Sequence, residues 1–304
     1  MKRISHIFSF ILSAAVLLAA VNFAQANNRR TWVAGTGADS GGCTVTAPCQ
    51  TFQYAQSKTS VGGTINVLSP GDFGAITITQ SLNIVADGVE ALIAAINVSA
   101  VTINTPGVEV SLHGLTIDQF PGQNLFAINV GARAVLRLEN VDIRGGLRGI
   151  NFAPASGNSQ LHILNSTITS TTSDGLAINL PGGPVTADIQ GLRVRNTGNA
   201  GILIAGQVKA AIRDSVLTNN VVGIRVAGSA GSPTNVMMTR VHVENNSSIG
   251  VHAKGGTVRM GECVVTGNGT GLAITNGGTL ATFKTNQVAG NGADGAPNAT
   301  VLLK

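Results

Sequence analysis

The sequence predicts an all-β protein, a single-stranded right-handed parallel β-helix of about ten coils with a short N-terminal capping helix. Three observations predict it: an apolar repeat, a composition rich in small residues, and polar corner residues in step with the repeat. Large apolar residues recur at Leu112, Leu138, Ile163, Ile189, Ile212, Met238, Met260 and Phe283, at spacings of 22 to 26 residues. Five residues after each stands an aliphatic one: Ile117, Ile143, Ile168, Val194, Leu217, Val243, Val265 and Val288. A third signal, a small residue followed by aliphatic-x-apolar, appears at Ala127–Val130, Gly149–Phe152, Gly175–Ile178 and Gly201–Ile204. It continues at Gly223–Val226, Gly250–Ala253 and Gly271–Ile274. Each unit therefore holds three short strands with alternating inward residues, and none of the intervals is long enough for a helix.

Composition agrees with this. The chain has 39 glycines, one tryptophan, one tyrosine and 11% charged residues, which suits tight turns and short strands better than a helical enzyme. Gly114, Asn140, Asn165, Gly191 and Asp214 stand two residues past the first apolar position, where a left-handed corner suits those types. Three residues past the second apolar position come Asn220, Asn246, Asn268 and Asn291, spaced to stack rung upon rung with their amides bonded to one another. A single coil cannot bury its own side chains, so the stack stabilises itself collectively.

The N-terminal region reads differently. Lys2 and Arg3, the apolar run from Ile7 to about Val21, and Ala24-Gln25-Ala26 form a signal peptide over residues 1–26. The run is too short to span a bilayer, and no membrane span is expected after cleavage, so the mature chain is expected to be secreted or periplasmic. Residues 27–64 form an expected cap and 65–304 the coils. Cys43 and Cys49 lie six positions apart in an exported chain, which predicts a disulfide that staples a local loop. Cys263 falls on an inward column and reads as a buried free thiol. Thr51–Lys58 has Phe52 and Ala55 on one side and suits a helix that plugs the open end of the first coil.

Removing Lys2 and Arg3 from the 19 basic residues leaves 17 against 14 acidic ones, and the basic residues are scattered. No stripe tracks a phosphate backbone, so nucleic acid is not an expected partner.

The N-terminal stretch also carries Gly37-x-Asp39, Pro48-Cys49-x-Thr51-Phe52, Gly62-Gly63-Thr64-Ile65 and Pro70-Gly71-Asp72-Phe73. With the coils, these motifs resemble the bacterial right-handed β-helix repeat proteins of the pectin-lyase-like superfamily. The resemblance implies polysaccharide chemistry on the outer face of one strand column, and it specifies fold better than reaction. Taking the small-aliphatic-x-apolar strand as that column, its outward positions are Asn129, Asn151, Ala177, Leu203, Arg225, His252 and Ala273. No carboxylate is among them. Inverting hydrolysis needs an acid and a base flanking the bond, and the four motifs shared by the glycoside hydrolases of this fold are missing. The acidic residues come singly, one to a coil, so no metal site is expected, and calcium enters only for a lyase-like enzyme.

The expected catalytic set is Arg225 and His252 on successive coils, with Glu244 in the loop between them. Asn129, Asn151 and Asp174 are the expected substrate contacts. An arginine and a histidine one rung apart suit a carboxylate or sulfate, or a proton transfer. A second outward set, Arg137 and Asp142, His162, and Asp188 with Arg193, reads as ion-paired decoration. His113 reads as a surface or corner residue, and Trp32, Tyr54 and the phenylalanines as mostly inward or in the cap. The functional expectation is an exported, non-catalytic module that binds a glycan or a cell-envelope component, with no cofactor. The alternative is a polysaccharide-active lyase, epimerase or hydrolase.

Overall fold

The computed structural model describes residues 28–120, 125–179, 182–228 and 233–302. The signal peptide expected over 1–26 lies outside these residues. The chain winds through three parallel sheets in a fixed order: a first of twelve strands, a second of ten and a third of nine. Each strand pairs with its counterpart one coil before and one coil after, with no antiparallel partner among the named strands. Nine coils, close to the expected ten, carry a strand in all three sheets. At about 4.8 Å per coil the first sheet runs about 50 Å.

The predicted columns form the core. Leu112, Leu138, Ile163, Ile189, Ile212, Met238 and Met260 align in register down the first sheet. Ile117 through Val288 do the same down the second. Almost all are fully buried. Burying one such aliphatic side chain is worth about 1.5–3 kcal/mol, and every coil buries several, so each coil is held by its neighbours. Phe283 breaks the column. Met260 pairs with Thr282, and Phe283 is only partly buried in the last coil, where fewer neighbours cover it.

Corners follow the expected chemistry. Gly114, Asn140, Asn165, Gly191 and Asp214 all have positive φ between the first and second sheets, as do Arg240 and Glu262. Between the second and third sheets runs the asparagine ladder. Asn246 Nδ2 donates to Asn268 Oδ1 at 2.8 Å, and Asn268 Nδ2 to Asn291 Oδ1 at 2.9 Å. Each Nδ2 also bonds a carbonyl one coil back, for example Asn246 to Leu217 O at 3.1 Å. Gly223 is small because a Cβ there would lie 2.4 Å from Val243 Cγ1 and 2.6 Å from Gly250 O. The ladder leaves no room beside it.

Both ends are covered. Asn28–Val33 pairs with Thr59–Val67 as the first strand of the first sheet, so the cap is continuous with the coils. The helix runs Phe52–Lys58, with Thr51 Oγ1 accepting from Tyr54 N as its N-cap. Asp39 in turn accepts from Gln50 N, Thr51 N and Thr51 Oγ1, which fixes the approach to the helix. Phe52 packs on Phe73 at 4.8 Å between ring centroids, and Cys43 is bonded to Cys49. At the other end, Gly271 N and Leu272 N donate to Ala293 O and Asp294 O, so an irregular segment occupies the edge of the last third-sheet strand. Cys263 is free and buried.

Candidate functional site

The third sheet presents the column read from the sequence: Asn129, Asn151, Ala177, Leu203, Arg225, His252 and Ala273 pair in order across seven strands. Four of the expected residues are joined in one hydrogen-bonded network, through two others that the sequence reading passed over. Asn151 Nδ2 donates to Asn129 Oδ1 at 2.9 Å, and Arg148 Nη1 donates to Asn151 Oδ1 at 2.8 Å. Arg148 Nε then reaches Asp174 Oδ2 at 3.1 Å. Asp174 Oδ1 accepts from Asn199 Nδ2 at 2.9 Å and from Ala200 N at 3.2 Å. Arg225 Nη1 closes the chain on Asn199 Oδ1 at 3.3 Å. From Asn129 to Arg225 this covers four coil steps, or about 19 Å.

Exposure separates what the network offers from what it uses to hold itself. Asp174 is 1% exposed, and both carboxylate oxygens already accept bonds. Ser173 Oγ also reaches Oδ2, at 3.5 Å, so all four lone-pair sites face donors; the buried carboxylate positions Arg148 and Asn199 and has none left for a calcium ion or a substrate proton. Asn129, Arg148, Asn199 and Arg225 are half-exposed. Each guanidinium has five N–H donors and makes only two or one of the bonds above, so both retain donors for a ligand. Between the arginines Ala177 is fully buried, and Leu203 is the half-exposed apolar side chain of the column. Phe126 pairs in register with Arg148 and is half-exposed, and Phe120, just after the second-sheet strand of the same coil as Phe126, is 45% exposed, so two aromatic rings stand outside the core near this end.

His252 sits beside Arg225 in register, but its ring is committed elsewhere. Its Nε2 bonds Thr275 Oγ1 at 2.9 Å, and its Nδ1 is buried without a partner. Burial first, then the charges of Arg225 and Lys254, push its pKa below the usual 6.5, so the ring is neutral at pH 7. A neutral imidazole whose remaining nitrogen is buried cannot meet a substrate proton.

Glu244 departs from its expected place. It is the last residue of the strand His242–Glu244 in the second sheet, pairs with Thr218 and Thr266, and bonds His242 Nδ1 at 3.0 Å. The four-residue turn after it, Asn245–Ser248, leads to a different sheet from the one it lies on, so it does not join Arg225 and His252. The second expected set also divides. Arg137, His162 and Asp188 share a first-sheet column, whereas Asp142 and Arg193 face out from the second sheet. Their ion pairs are with other residues: Arg137 with Glu109, Asp142 with Arg144, Asp188 with Arg213. His113 pairs with Glu139.

Among the described residues no three His, Cys, Asp or Glu side chains are grouped to hold a metal ion. No helix there is long and apolar enough to cross a membrane. No protein-family model matches the chain, and no curated protein matches its sequence. Among solved structures, the crystal structure of pectate lyase Pel9A is similar, with a TM-score of 0.62 at 15% sequence identity. The match covers 83% of this chain and 74% of that one, and at this identity it shows a shared parallel β-helix fold.

Proposed function

We propose that this is an exported β-helix that holds an extended, carboxylate-bearing polysaccharide along its third sheet and does not cleave it. The observation that carries the reading is the fate of Asp174. It is the carboxylate of the third-sheet network, and it is buried and saturated with donors. Hydrolysis needs an acid and a base in reach of the bond, and neither Asp174 nor His252 has a free titrating atom facing out. Arg148 and Arg225 remain, three coils or about 14 Å apart, and guanidinium groups pair well with carboxylates. Between them the half-exposed Leu203 suits the apolar face of a sugar ring, and Phe126 offers a stacking surface at one end. The likeness to pectate lyase Pel9A supports an acidic glycan as the ligand class, and the disulfide supports export.

The lyase reading rests on the adjacency of Arg225 and His252. It requires the neutral, Thr275-bonded imidazole to turn outward. Incubating the mature protein with uronate-containing and neutral polysaccharides, while following unsaturated product and reducing ends, separates the readings. Binding without product is expected. Product that disappears in Arg225→Ala or His252→Gln would establish the lyase instead.

A further inference from the structure

We infer that the outer face of the first sheet carries a second site, selective for carboxylated oligosaccharides and separate from the third-sheet network. Two hollows adjoin there, of about 480 and 600 Å³, and they share Thr186, Lys209 and Asn235. Together they span the strands from Ser159–Leu164 to Thr257–Gly261, five coils in register. The depression follows from side-chain size. Asp188 pairs with Ala211 on the next coil, so a methyl group stands where the flanking coils carry longer side chains.

Charge gives the hollows their selectivity. Asp188 is neutralised by Arg213 at 2.8 Å. Lys209 has no carboxylate partner among the described residues, and Arg259 bonds only the neutral Asn235 Oδ1, at 3.4 Å. The groove therefore faces solvent with two uncompensated cations, and His162 lines it as well. Lys209 and Arg259 are two coils apart, close to 10 Å along the axis. Fixed cations at that spacing, with the neutral hydrogen-bonding group of Asn235 on the coil between them and that of Thr186 on the coil before Lys209, fit anions carried at intervals on an extended chain. Met237 and Pro233 add apolar surface of the kind that sugar-ring faces cover. Two cations are too few for a nucleic-acid backbone, which needs a longer stripe. A rod with an acidic-glycan site on each of two sheets can bridge two chains.

The test uses a local reporter. Thr186 is exposed on the groove wall and Cys263 is buried, so Thr186→Cys takes an environment-sensitive dye at one position. The probe is hexagalacturonate, with its fully methyl-esterified form as the uncharged control. The dye is expected to respond saturably to the acid and not to the ester, with a response that weakens as salt rises. Lys209→Ala/Arg259→Ala should weaken binding at the dye at least tenfold, while Arg225→Ala on the third sheet should leave it unchanged. Both groove residues face solvent, so thermal unfolding is expected to be unaltered, and Lys209→Gln/Arg259→Gln should reproduce the loss. No response in the parent protein, an equal response to the ester, or undiminished binding in both groove variants would overturn the inference. A loss caused by Arg225→Ala alone would place the ligand on the third sheet and overturn it too.

Discussion

Asp174→Asn keeps the shape of the third-sheet network and removes its charge. Asp174 is 1% exposed and the Arg148 side chain 23%, so the pair between them is largely desolvated. Removing one partner of a buried pair costs about 3–5 kcal/mol, because the other charge is left uncompensated. Water reaches part of the Arg148 guanidinium, which places the cost near the low end, at about 3 kcal/mol. The carboxamide oxygen can still accept from Asn199 or Ala200. Asp174→Ala leaves the Ala200 amide without an acceptor as well and should cost about 4 kcal/mol. Urea unfolding of Asp174→Asn, Arg148→Met and the double variant closes a cycle, with an expected coupling of about 2 kcal/mol at unchanged m-value. A coupling below about 0.5 kcal/mol would refute the structural role. So would a variant that unfolds like the parent but loses a catalytic activity, since the carboxylate would then be acting on substrate.

Further outcomes follow from the same physics. Asn246 is fully buried, and its side chain bonds Leu217 O, Asn220 N and Asn268. Asn246→Ala should therefore cost about 3–5 kcal/mol in urea unfolding, at about 1–3 kcal/mol for each orphaned group. Asn291, on the outermost and only half-buried rung, should cost less, and equal losses at both positions would contradict a ladder buried in the middle and partly wet at its end. The folded-state pKa of His252 is depressed below 6.5, so the unfolded chain takes up the proton first as pH falls. Stability is then lost between pH 6.5 and the lower folded pKa and levels off beneath it, and His252→Gln should flatten that slope in thermal unfolding followed against pH.

Much of this was legible in the residues because the repeat imposes a simple geometry. An inward column must be aliphatic, a left-handed corner favours glycine, asparagine or aspartate, and a ladder needs one asparagine per coil. Leu112 to Met260, Asn140, Asn165 and Asn220 to Asn291 each satisfied one of these demands. Phe283 misled because hydrophobicity marks a column only where neighbouring coils cover it, and in the last coil Thr282 takes the register. Glu244 misled for a different reason. Closeness in sequence to Arg225 and His252 does not say on which side of a corner a side chain stands. Arg148 and Asn199 were missed because they lie outside the alternating positions of the strand. A signal was present: the residue just before each small one, Phe126, Arg148, Asp174, Ala200, Val222, Ile249 and Thr270, forms a column of its own, and arginine followed by aspartate one coil later marks a pair. The first-sheet groove depends on Ala211 standing among larger neighbours, which periodicity alone does not reveal.

We propose that the third sheet holds an acidic polysaccharide without cutting it. It is tested most directly in the Lys209→Ala/Arg259→Ala background, where the first-sheet groove contributes nothing. Affinity electrophoresis through polygalacturonate should retard this protein and leave the polymer free of unsaturated product and new reducing ends. Adding Arg225→Ala should restore free migration. Unretarded migration of the background protein, or polymer cleavage that vanishes with Arg225→Ala, would contradict the account.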